Sequence, residues 1–520
     1  MPDALPDLAD RLAATIAALP RPEDREELAR LLRLFESRAV NLLLAGTPRP
    51  FTRMSPERRE RYLCGWATSR LGLRRKAFQA LKRLTTVLQY TAVDGTGTNP
   101  AWPRLRYPGP LGPPPQTPKR IRPIALEGDT TLDCDVVVVG SGAGGGVVAA
   151  GLAAAGKDVV VLEKGGYYNE ADFTQREAEM LERLYDGRGL TATEDLGLLI
   201  LAGSCLGGGT VVNYTTSFHT PEALRGEWAR EHGLPHFTSA EFTTSLDAVA
   251  ERTGTNRDHH RPSGRDQVLI RGLERLGWHH GLLPRNVRGC SQADDCGYCG
   301  YGCRRGAKQS TLVTYLQDAA DRGARIVVGA DARRVIIEGG RASGVEAVVT
   351  RPASRGTVSL TVRARAVVVA GGSIHSPALL LRSGIRLPAL GRHLALHPAT
   401  AVLGLMPEEV RPWTGTVQAH YSDQFADLDR GYGFKFETAP VHPSLAALAM
   451  PWESGRQHAE AMTRLSHTAL VGILLRDRFG GRVRVDGRGN PVVSYRLSEY
   501  DAAHLRRGVA AAAELLEAAG

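Results

Sequence analysis

The chain has 520 residues, of which 42% are hydrophobic and 23% are charged, and its formal net charge is +10. This length predicts two or three domains, and the composition is that of a globular protein. The basic residues are spread along the chain and form no block with interleaved aromatic residues, so we expect no nucleic-acid partner. No run of about 18 apolar residues occurs, so we expect no membrane-spanning helix.

The cysteines and the first residues of the sequence indicate the compartment. The chain contains seven cysteines, and four of them lie in one short segment. An odd number with this clustering is unlike the disulfide framework of a secreted protein. Met1–Asp7 is acidic and lacks the basic start of a signal peptide. We therefore expect a cytoplasmic protein.

Residues 1–92 are predicted to be helical, and residues 93–130 form a proline-rich connector. One predicted helix of the first region has leucines on one side and basic residues elsewhere. Such a helix is compatible with a peripheral membrane contact. The alternative is a helix packed on the main body with a solvated basic face. The basic residues are Arg74, Arg75, Lys76, Lys82 and Arg83.

A strand–loop–helix pattern follows the connector. Val136–Val139 is an uninterrupted apolar run that predicts a buried parallel strand. Gly140, Gly142 and Gly145 then give the spacing G-x-G-x-x-G. The first glycine permits the tight turn, the second permits backbone amides to reach a pyrophosphate, and the third permits close packing of the helix. The helix predicted from about Ala143 presents its positive end to that pyrophosphate.

A second apolar strand ends at Glu163, about 20 residues beyond the glycines. A carboxylate at this place can accept hydrogen bonds from ribose hydroxyl groups. It would repel the 2′-phosphate of NADP, so the pattern favours NAD or FAD and does not separate these two. The sequence thus predicts a dinucleotide-binding βαβ unit.

Residues 320–385 return to the α/β pattern, with short strands and a buried strand over residues 364–369 that ends on glycines. Ser376-Pro377 is the predicted start of the next helix. The nucleotide-binding domain is therefore predicted to be discontinuous. From about residue 398 the pattern changes to mixed strands and loops, including a hairpin around Asp486–Asn490 and a last helix over Asp501–Ala519.

Several of these motifs together resemble the glucose–methanol–choline (GMC) flavoprotein oxidoreductases, over residues from about 98 to the end. Gly372–Ile385 resembles the second signature of that family, with a departure at Arg386, where the signature has glycine. The long-chain (fatty) alcohol oxidase branch is the nearest in likeness. The segments that carry this likeness are Asn99–Trp102, Gly207–Asn213, Cys296–Cys303 and Tyr495–Asp501.

The resemblance implies an α/β fold: a discontinuous, Rossmann-like FAD-binding domain with an α+β substrate domain and an N-terminal helical extension. The expected ranges are 131–397 for the FAD-binding domain, including a cysteine-rich insert at about 285–310, and 398–520 for a partial substrate domain. The implied cofactor is FAD. The implied cofactor-binding residues are Gly140, Ser141, Gly142, Ala143, Gly145, Glu163, Lys164, Gly207, Gly208, Gly209, Asn213, Ala332, Gly371 and Gly372.

The resemblance also implies a reaction. A primary, long-chain alcohol would be oxidised to the aldehyde by hydride transfer to flavin N5, with O2 or an electron carrier as the final acceptor. The family's catalytic base is a histidine in a C-terminal segment, which we expect to lie beyond Gly520. His219, His375 and His397 are expected to be structural. A fragment of an enzyme, a base supplied by another chain, and a flavin-binding fragment without catalysis are the alternatives.

The cysteine segment suggests a metal centre. Its spacing and its glycine- and tyrosine-rich loop suit an iron–sulfur cluster, which would make the protein a dehydrogenase that passes electrons to a carrier. A zinc ion and a tight loop without metal are the alternatives. Neighbouring cations, Arg304, Arg305 and Lys308, are expected to lower the pKa of the thiols. The proposed ligands are Cys290, Cys296, Cys299 and Cys303.

Overall fold

A computed structural model describes residues 8–17, 22–290, 296–351 and 356–520. Residues 1–7 and 18–21 of the predicted helical region lie outside the described residues, as do residues 291–295 of the cysteine-rich insert. The α-helices are α1 (Leu8–Ala17), α2 (Pro22–Glu36), α3 (Arg38–Ala45), α4 (Pro56–Ala67), α5 (Gly72–Thr91), α6 (Trp102–Leu105), α7 (Ala143–Ala154), α8 (Glu177–Leu184), α9 (Gly209–Val212), α10 (Glu222–His232), α11 (Ala240–Arg252), α12 (Gly264–Leu276), α13 (Tyr315–Asp321), α14 (Gly372–Arg382), α15 (Pro443–Ala449), α16 (Gly455–Thr463) and α17 (Glu499–Ala519).

The strands form two main sheets and two small ones. Their bounds are β1 (Thr130–Val139), β2 (Val159–Glu163), β3 (Thr255–Asn256), β4 (Gly281–Leu282), β5 (Arg285–Asn286), β6 (Arg325–Val328), β7 (Ala330–Glu338), β8 (Arg341–Arg351), β9 (Gly356–Val369), β10 (Arg392–Leu394), β11 (Ala399–Leu405), β12 (His420–Asp429), β13 (Tyr432–Glu437), β14 (Thr468–Leu475), β15 (Gly481–Val485) and β16 (Pro491–Ser494).

The first main sheet has the strand order β6-β2-β1-β9-β8-β7. Strands β6, β2, β1 and β9 are parallel to one another, and β8 and β7 extend the sheet with antiparallel pairing. Val137, Val138 and Val160 are fully buried because both faces of the central strands are covered. The discontinuous α/β fold is confirmed, since β1 and its neighbour β9 are far apart in the sequence.

Most elements of this layer match the sequence pattern. The valine strand, α7 and β2 have the predicted order, and β2 ends at Glu163 as predicted. The predicted start of α14 at Ser376-Pro377 is wrong, because the helix begins at Gly372 and Pro377 lies inside it. Pro377 is the sixth residue of α14, so the N–H that proline lacks would have bonded to the carbonyl oxygen of Ser373, and the earlier start costs the helix one hydrogen bond.

The second main sheet is antiparallel, with the order β11-β14-β13-β12-β4. One face of it packs against α12 and α17 through Leu269, Leu273, Phe434, Phe436 and Leu515. Alternate residues of β13 therefore point to the helices, and the intervening ones point to the opposite face. The hairpin of β15 and β16 has the predicted turn and forms a small sheet with β10.

The structure groups one segment differently from the predicted domain ranges. Residues 264–282, predicted within the FAD-binding range, carry α12 and β4, and both belong to the second sheet layer. The reason is the apolar stripe of α12, formed by Val268, Leu269 and Leu273, which completes the core beneath β13 and β14. The second layer is thus built from two separate parts of the chain.

The N-terminal helices pack on the main body through α5 and α15. Lys82 is buried and donates hydrogen bonds to the carbonyl oxygens of Leu448 and Met450, and Arg83 donates to that of Leu196. Two of the five basic residues considered for membrane contact are therefore used within the protein. Within the described ranges, none of the helices combines the length and the hydrophobicity needed to cross a lipid bilayer.

Candidate functional site

The first glycine loop connects β1 to α7 at the carboxyl edge of the first sheet. Gly140 has a φ of +100°, and a Cβ atom there would lie 2.5 Å from the carbonyl oxygen of Ala370. A Cβ atom on Gly145 would overlap the carbonyl oxygen of Gly140. By contrast, a Cβ atom on Gly142 would meet nothing within 4 Å. The outer two glycines thus serve packing, and Gly142 faces open space at the start of α7.

A second glycine loop lies directly against the first. Gly207 and Gly208 have φ values of +96° and +54°, and a Cβ atom on Gly208 would lie 2.8 Å from the Cα atom of Gly142. The amide of Gly207 also donates to the hydroxyl oxygen of Ser141 at 2.9 Å. The structure therefore brings together two loops that are more than sixty residues apart, with Gly207 and Gly208 buried between them and Gly209 exposed.

Glu163 ends β2 beneath these loops. Its carboxylate accepts hydrogen bonds from the Ser141 amide at 3.1 Å, the Ser141 hydroxyl at 2.5 Å and the Gly165 amide at 2.8 Å. Burial raises the pKa of Glu163, although the hydrogen bonds from Ser141 act in the opposite direction. In the protein alone the side chain thus holds the glycine loop in place, and its contact with a ribose stays a prediction.

A charged cluster lies beside the loop. Lys164 Nζ is 2.9 Å from Asp186 Oδ1, and His375 Nε2 is 3.2 Å from Asp186 Oδ2. Lys164 follows β2 and His375 lies in the first turns of α14 after β9, so the cluster joins the two strands on either side of β1. Asp186 was not singled out in the sequence, since a lone aspartate between loops carries no pattern.

Two further predicted positions are less open to a ligand. The carbonyl oxygen of Ala332 on β7 accepts a hydrogen bond from Arg382 at 2.8 Å. Gly371 lies between β9 and α14, and a Cβ atom there would lie 3.2 Å from that of His375. Gly372 has a φ of +71° and open space around it. Of these three, Gly372 has the most open surroundings, and the contacts of all three with a cofactor stay predictions.

Asn213 follows the second glycine loop, and its side chain is exposed. The position of its backbone depends on Lys308, which is almost fully buried. Lys308 Nζ donates to the carbonyl oxygens of Val211, Asn213 and Cys299, each at 2.7 Å. Lys308 thus joins the glycine loop to the cysteine segment, a role that the sequence did not suggest.

The cysteine segment does not have the geometry predicted for a metal centre. All seven cysteines lie in described parts of the chain and are free thiols, and the described residues contain no group of three or more metal-ligating side chains placed to hold an ion. Cys290 lies near Arg285, 3.9 Å from its Nη2 atom, and Cys303 accepts from the Lys308 amide at 3.4 Å. Cys296, Cys299 and Cys303 lie near enough for their charges to affect one another, but within the described residues they do not converge as a set of metal ligands.

The expected lowering of thiol pKa values is also wrong for two of these cysteines. Burial raises the pKa of Cys299 to about 12, and it raises that of Cys296 as well. Lys308 acts in the opposite direction on Cys299 but does not outweigh the loss of solvation. These thiols are therefore protonated at neutral pH in the protein alone.

The residues present fit a bound dinucleotide. Gly142 offers open space and free backbone at the N-terminus of a helix of three turns, which favours a pyrophosphate. The second glycine loop continues this backbone surface toward Asn213. A parallel sheet with such loops at its carboxyl edge, joined to an antiparallel sheet layer, defines a dinucleotide-binding oxidoreductase of the flavoprotein type.

Comparisons with known proteins give the family. The sequence model described as GMC oxidoreductase matches residues 181–399. The long-chain-alcohol oxidase FAO3 of Arabidopsis thaliana is 31% identical over 94% of this chain and 72% of its own length. Long-chain-alcohol oxidase FAO4B of the same plant is 35% identical over 78% of this chain and 55% of its own length. The chain belongs to the GMC oxidoreductase family, and its class is that of the flavin-dependent alcohol oxidoreductases.

Solved structures share the fold at low sequence identity. Pyridoxine 4-oxidase from Mesorbium loti has a TM-score of 0.52 and 17% identity, with 74% of this chain and 80% of that chain covered. A formate oxidase has a TM-score of 0.51 and 15% identity, with 75% and 82% covered. The predicted resemblance to GMC flavoproteins is thus confirmed for the family and for the fold.

Proposed function

We propose that this protein oxidises a primary, long-chain alcohol to the aldehyde, with FAD as its cofactor. The observation that carries the proposal is the similarity to a long-chain-alcohol oxidase over 94% of the chain. A substrate of this kind has one polar group and a long apolar tail, so binding depends mainly on apolar burial.

We infer the following roles for the residues at the sheet edge. The amides around Gly142 and the N-terminus of α7 bind the pyrophosphate, and Gly140 and Gly145 give the loop its shape. Glu163 holds that loop through Ser141, and its Oε1 atom has capacity for a ribose hydroxyl. The segment from Gly207 to Asn213 lies along the flavin ring, with Gly371 and Gly372 beside the dinucleotide and Ala332 toward the adenine. FAD, when bound, supplies the hydride acceptor.

The first experiment is purification followed by anaerobic mixing with 1-dodecanol. We expect a yellow protein that releases FAD on denaturation and whose flavin absorbance is lost on addition of the alcohol. A protein that binds no flavin would contradict the cofactor assignment. A protein that binds flavin but is reduced by no primary alcohol would favour the alternative of a catalytically incomplete flavin-binding fragment.

The final electron acceptor separates two versions of the function. An oxidase passes electrons to O2 and forms hydrogen peroxide, and a dehydrogenase passes them to a carrier. We favour the oxidase, because the relatives named above are oxidases and the cysteines are not arranged as cluster ligands. Peroxide formed in proportion to the aldehyde is the expected result. Iron and acid-labile sulfide in the purified protein would favour the dehydrogenase.

We also propose a cytoplasmic location, which the seven free thiols support. A peripheral membrane contact has less support, because Lys82 and Arg83 bond to backbone within the protein. Sedimentation with vesicles that contain anionic lipids tests this point. We expect the protein to stay in the supernatant at physiological ionic strength.

A further inference from the structure

Three histidines lie around the short strand β4 at the edge of the second sheet. His280 directly precedes β4, and His420 of β12 pairs with Leu282 within it. His260 Nε2 is 2.7 Å from the carbonyl oxygen of Leu283, the residue that follows β4. We call His260, His280 and His420 the histidine cluster. Its members thus lie before the strand, opposite it and at its end.

The Nδ1 atoms of all three rings are buried and, within the described part of the chain, have no hydrogen-bond partner. His260 must carry a hydrogen on Nε2 to donate to Leu283, so its Nδ1 atom holds the lone pair of a neutral imidazole. Protonation of such an atom would create a buried cation whose N–H group has no acceptor, which is costly. The histidine cluster therefore favours neutral rings.

His420 is the most deeply buried member, with 9% of its surface exposed. Its ring centroid is 6.2 Å from that of His280, so a positive charge on one ring would repel a charge on the other. Burial lowers the pKa of His420, and His280 acts in the same direction. Asp266 and Glu274 of α12 oppose this lowering of the pKa but do not outweigh it.

The acidic groups nearby are engaged elsewhere or exposed. Both oxygens of Asp266 accept hydrogen bonds from hydroxyl groups. Glu274 is exposed on the surface of α12. Asp423 of β12 is paired with the exposed His279. Among the described residues, a positive charge on His420 would therefore have no carboxylate in direct contact.

His260 lies in surroundings that also disfavour a charge. Burial lowers its pKa, and Arg285 of β5 and His420 act in the same direction. The carbonyl groups of Leu283 and Arg257 act in the opposite direction and do not outweigh burial. Arg285 is almost fully buried, so solvent and salt screen its charge only weakly. Two members of the histidine cluster are therefore protonated more readily in water than in the folded protein.

The strand between these histidines is held by few bonds. β4 has two residues, lies at the edge of its sheet, and is paired with β12. The amide of Leu283 adds a hydrogen bond to the carbonyl oxygen of Ala419 at 2.9 Å. An edge element with so few contacts opens at a low free energy compared with the centre of a sheet. A change in the charge of the histidine cluster thus acts on a part of the sheet that resists opening least.

β4 is also connected to the segment after the second glycine loop. The amide of Ser217 donates to the carbonyl oxygen of Pro284 at 2.8 Å, and the amide of Asn286 donates to that of Thr215 at 3.1 Å. Pro284 and Asn286 come directly after β4, and Thr215 and Ser217 come directly after the loop. Opening of β4 should therefore extend to residues 215–217.

We propose that β4 and the histidine cluster form an acid-sensitive latch at the edge of the second sheet. At neutral pH the rings are neutral and β4 stays paired with β12. In mild acid His260 and His420 bind protons more strongly when β4 is open, because their rings then reach water. The strand and residues 215–217 therefore open together. The latch does not depend on the proposed alcohol oxidation.

The open fraction of β4 should increase as the pH falls. His260 and His420 both have a pKa below the ordinary value of 6.5 in the folded protein. Each therefore contributes stability that is present above the unfolded value and is lost as the pH falls through the folded value. Between pH 7.5 and pH 5.5, this linkage can increase the open fraction by up to about tenfold for each histidine.

The experiment is hydrogen exchange followed by mass spectrometry on the full chain at pH 7.5, 6.5 and 5.5, corrected for the intrinsic effect of pH on exchange. We expect residues 280–286 to exchange about tenfold faster or more at pH 5.5 than at pH 7.5, and residues 215–217 to follow. The central strands β1 and β14 should show no such change. Equal rates at both pH values in residues 280–286 overturn the proposal, and so does an equal acceleration of β14.

The double variant His260→Gln/His420→Gln tests the role of the rings. It keeps polar side chains but removes both titrating groups, so the acceleration in acid should fall below about twofold. The single variant His420→Gln should lose part of the acceleration and serves as the test if the double variant does not fold. His232→Asn, at an exposed position in α10, is the control and should keep the wild-type acceleration. An unchanged acceleration in the variants of the histidine cluster overturns the proposal.

Discussion

The carboxylate of Glu163 accepts two hydrogen bonds from Ser141, one from the backbone amide and one from the hydroxyl group. The Ser141 hydroxyl oxygen in turn accepts from the amide of Gly207. One serine thus connects the end of β2 with both glycine loops. The site for a dinucleotide is therefore organised before any ligand binds, which reduces the entropy lost on binding.

The glycine loop allows packing and ligand contact to be separated by mutation. Gly142→Ala should leave stability unchanged, because the added Cβ atom meets nothing within 4 Å. FAD affinity should fall about tenfold or more, because the added Cβ atom occupies the space of the pyrophosphate and keeps it from the backbone amides, and a hydrogen bond to a charged group is worth about 1.5 to 3 kcal/mol. Thermal unfolding of the apoprotein and fluorescence titration with FAD measure the two effects.

Gly145→Ala and Gly151→Ala are the matched variants for this loop. The Cβ atom of the first would overlap the Gly140 carbonyl oxygen, so we expect a loss of stability of about 2 kcal/mol or more. The second lies farther along α7 with open space and should gain about 0.5 to 1 kcal/mol. Normal FAD binding by Gly142→Ala would show that the pyrophosphate lies elsewhere.

Lys308 holds three backbone carbonyl oxygens in the interior. Lys308→Met keeps the apolar stem but removes the donors, so the carbonyl oxygens of Val211, Asn213 and Cys299 lose their partner. We expect a loss of about 3 kcal/mol of unfolding free energy, measured with urea. The exposed Lys157→Met should change it by less than about 0.5 kcal/mol. Equal stability of the two variants would contradict the role of Lys308.

The ionised carboxyl group of Asp186 should make the stability of the folded protein depend on pH in the acid range. Burial opposes its ionisation, but the hydrogen bond from His375 and the charge of Lys164 together hold its pKa below the ordinary value of 3.8. A carboxyl group with a lowered pKa in the folded state contributes stability above its unfolded value, and that contribution is lost as the pH falls through the folded value. Asp186→Asn should therefore reduce the melting temperature most at pH 7 and clearly less at pH 2, where part of the contribution is already lost.

The control for this prediction is Glu346→Gln, which removes an exposed ion pair with Arg334. Exposed pairs contribute about 0 to 1 kcal/mol, so the melting temperature at pH 7 should hardly change. A loss in Asp186→Asn that is equally large at pH 2 and pH 7 would show that packing, and not charge, explains the effect.

Glu177 connects three segments in the interior, so its removal should reduce the stability of the protein. Its carboxylate joins α8 to Tyr301 in the cysteine segment and to Ser444 in α15. Glu177→Ala leaves these hydroxyl groups without a partner and opens a cavity, so we expect a loss of about 3 kcal/mol. Glu182→Ala, at an exposed position in the same helix, should change stability by less than about 0.5 kcal/mol. Calorimetric unfolding of both variants measures these two changes in stability.

The parts that could be predicted from the sequence are those carried by local patterns. The valine run, the glycine spacing and the end of β2 at Glu163 depend on neighbours within thirty residues, and each lies where it was predicted. The start of α14 was misplaced because proline was taken as its first residue, whereas Gly371 and Gly372 already make the turn from β9 into the helix.

The side-chain clusters could not be predicted in this way. Thr216 and Gln418 meet across 202 residues, and neither has a periodicity that points to the other. The same holds for Asp186 and His375, whose contact depends on how α14 lies against the loop after α8. A sequence pattern shows which face a residue occupies, and only the packed fold shows which distant residue shares that face.

The placement of α12 and β4 has a consequence for how the protein folds during synthesis. Both elements leave the ribosome before β6, β7, β8 and β9 of the first sheet. The apolar stripe of α12 packs against α17, and β4 pairs with β12, yet these two partners are made much later. Val268, Leu269 and Leu273 therefore stay without their final partners until β13, β14 and α17 have been made. The nascent protein exposes this stripe for that whole interval, so chaperone capture is expected at α12, and the second layer closes only after α17 has left the ribosome.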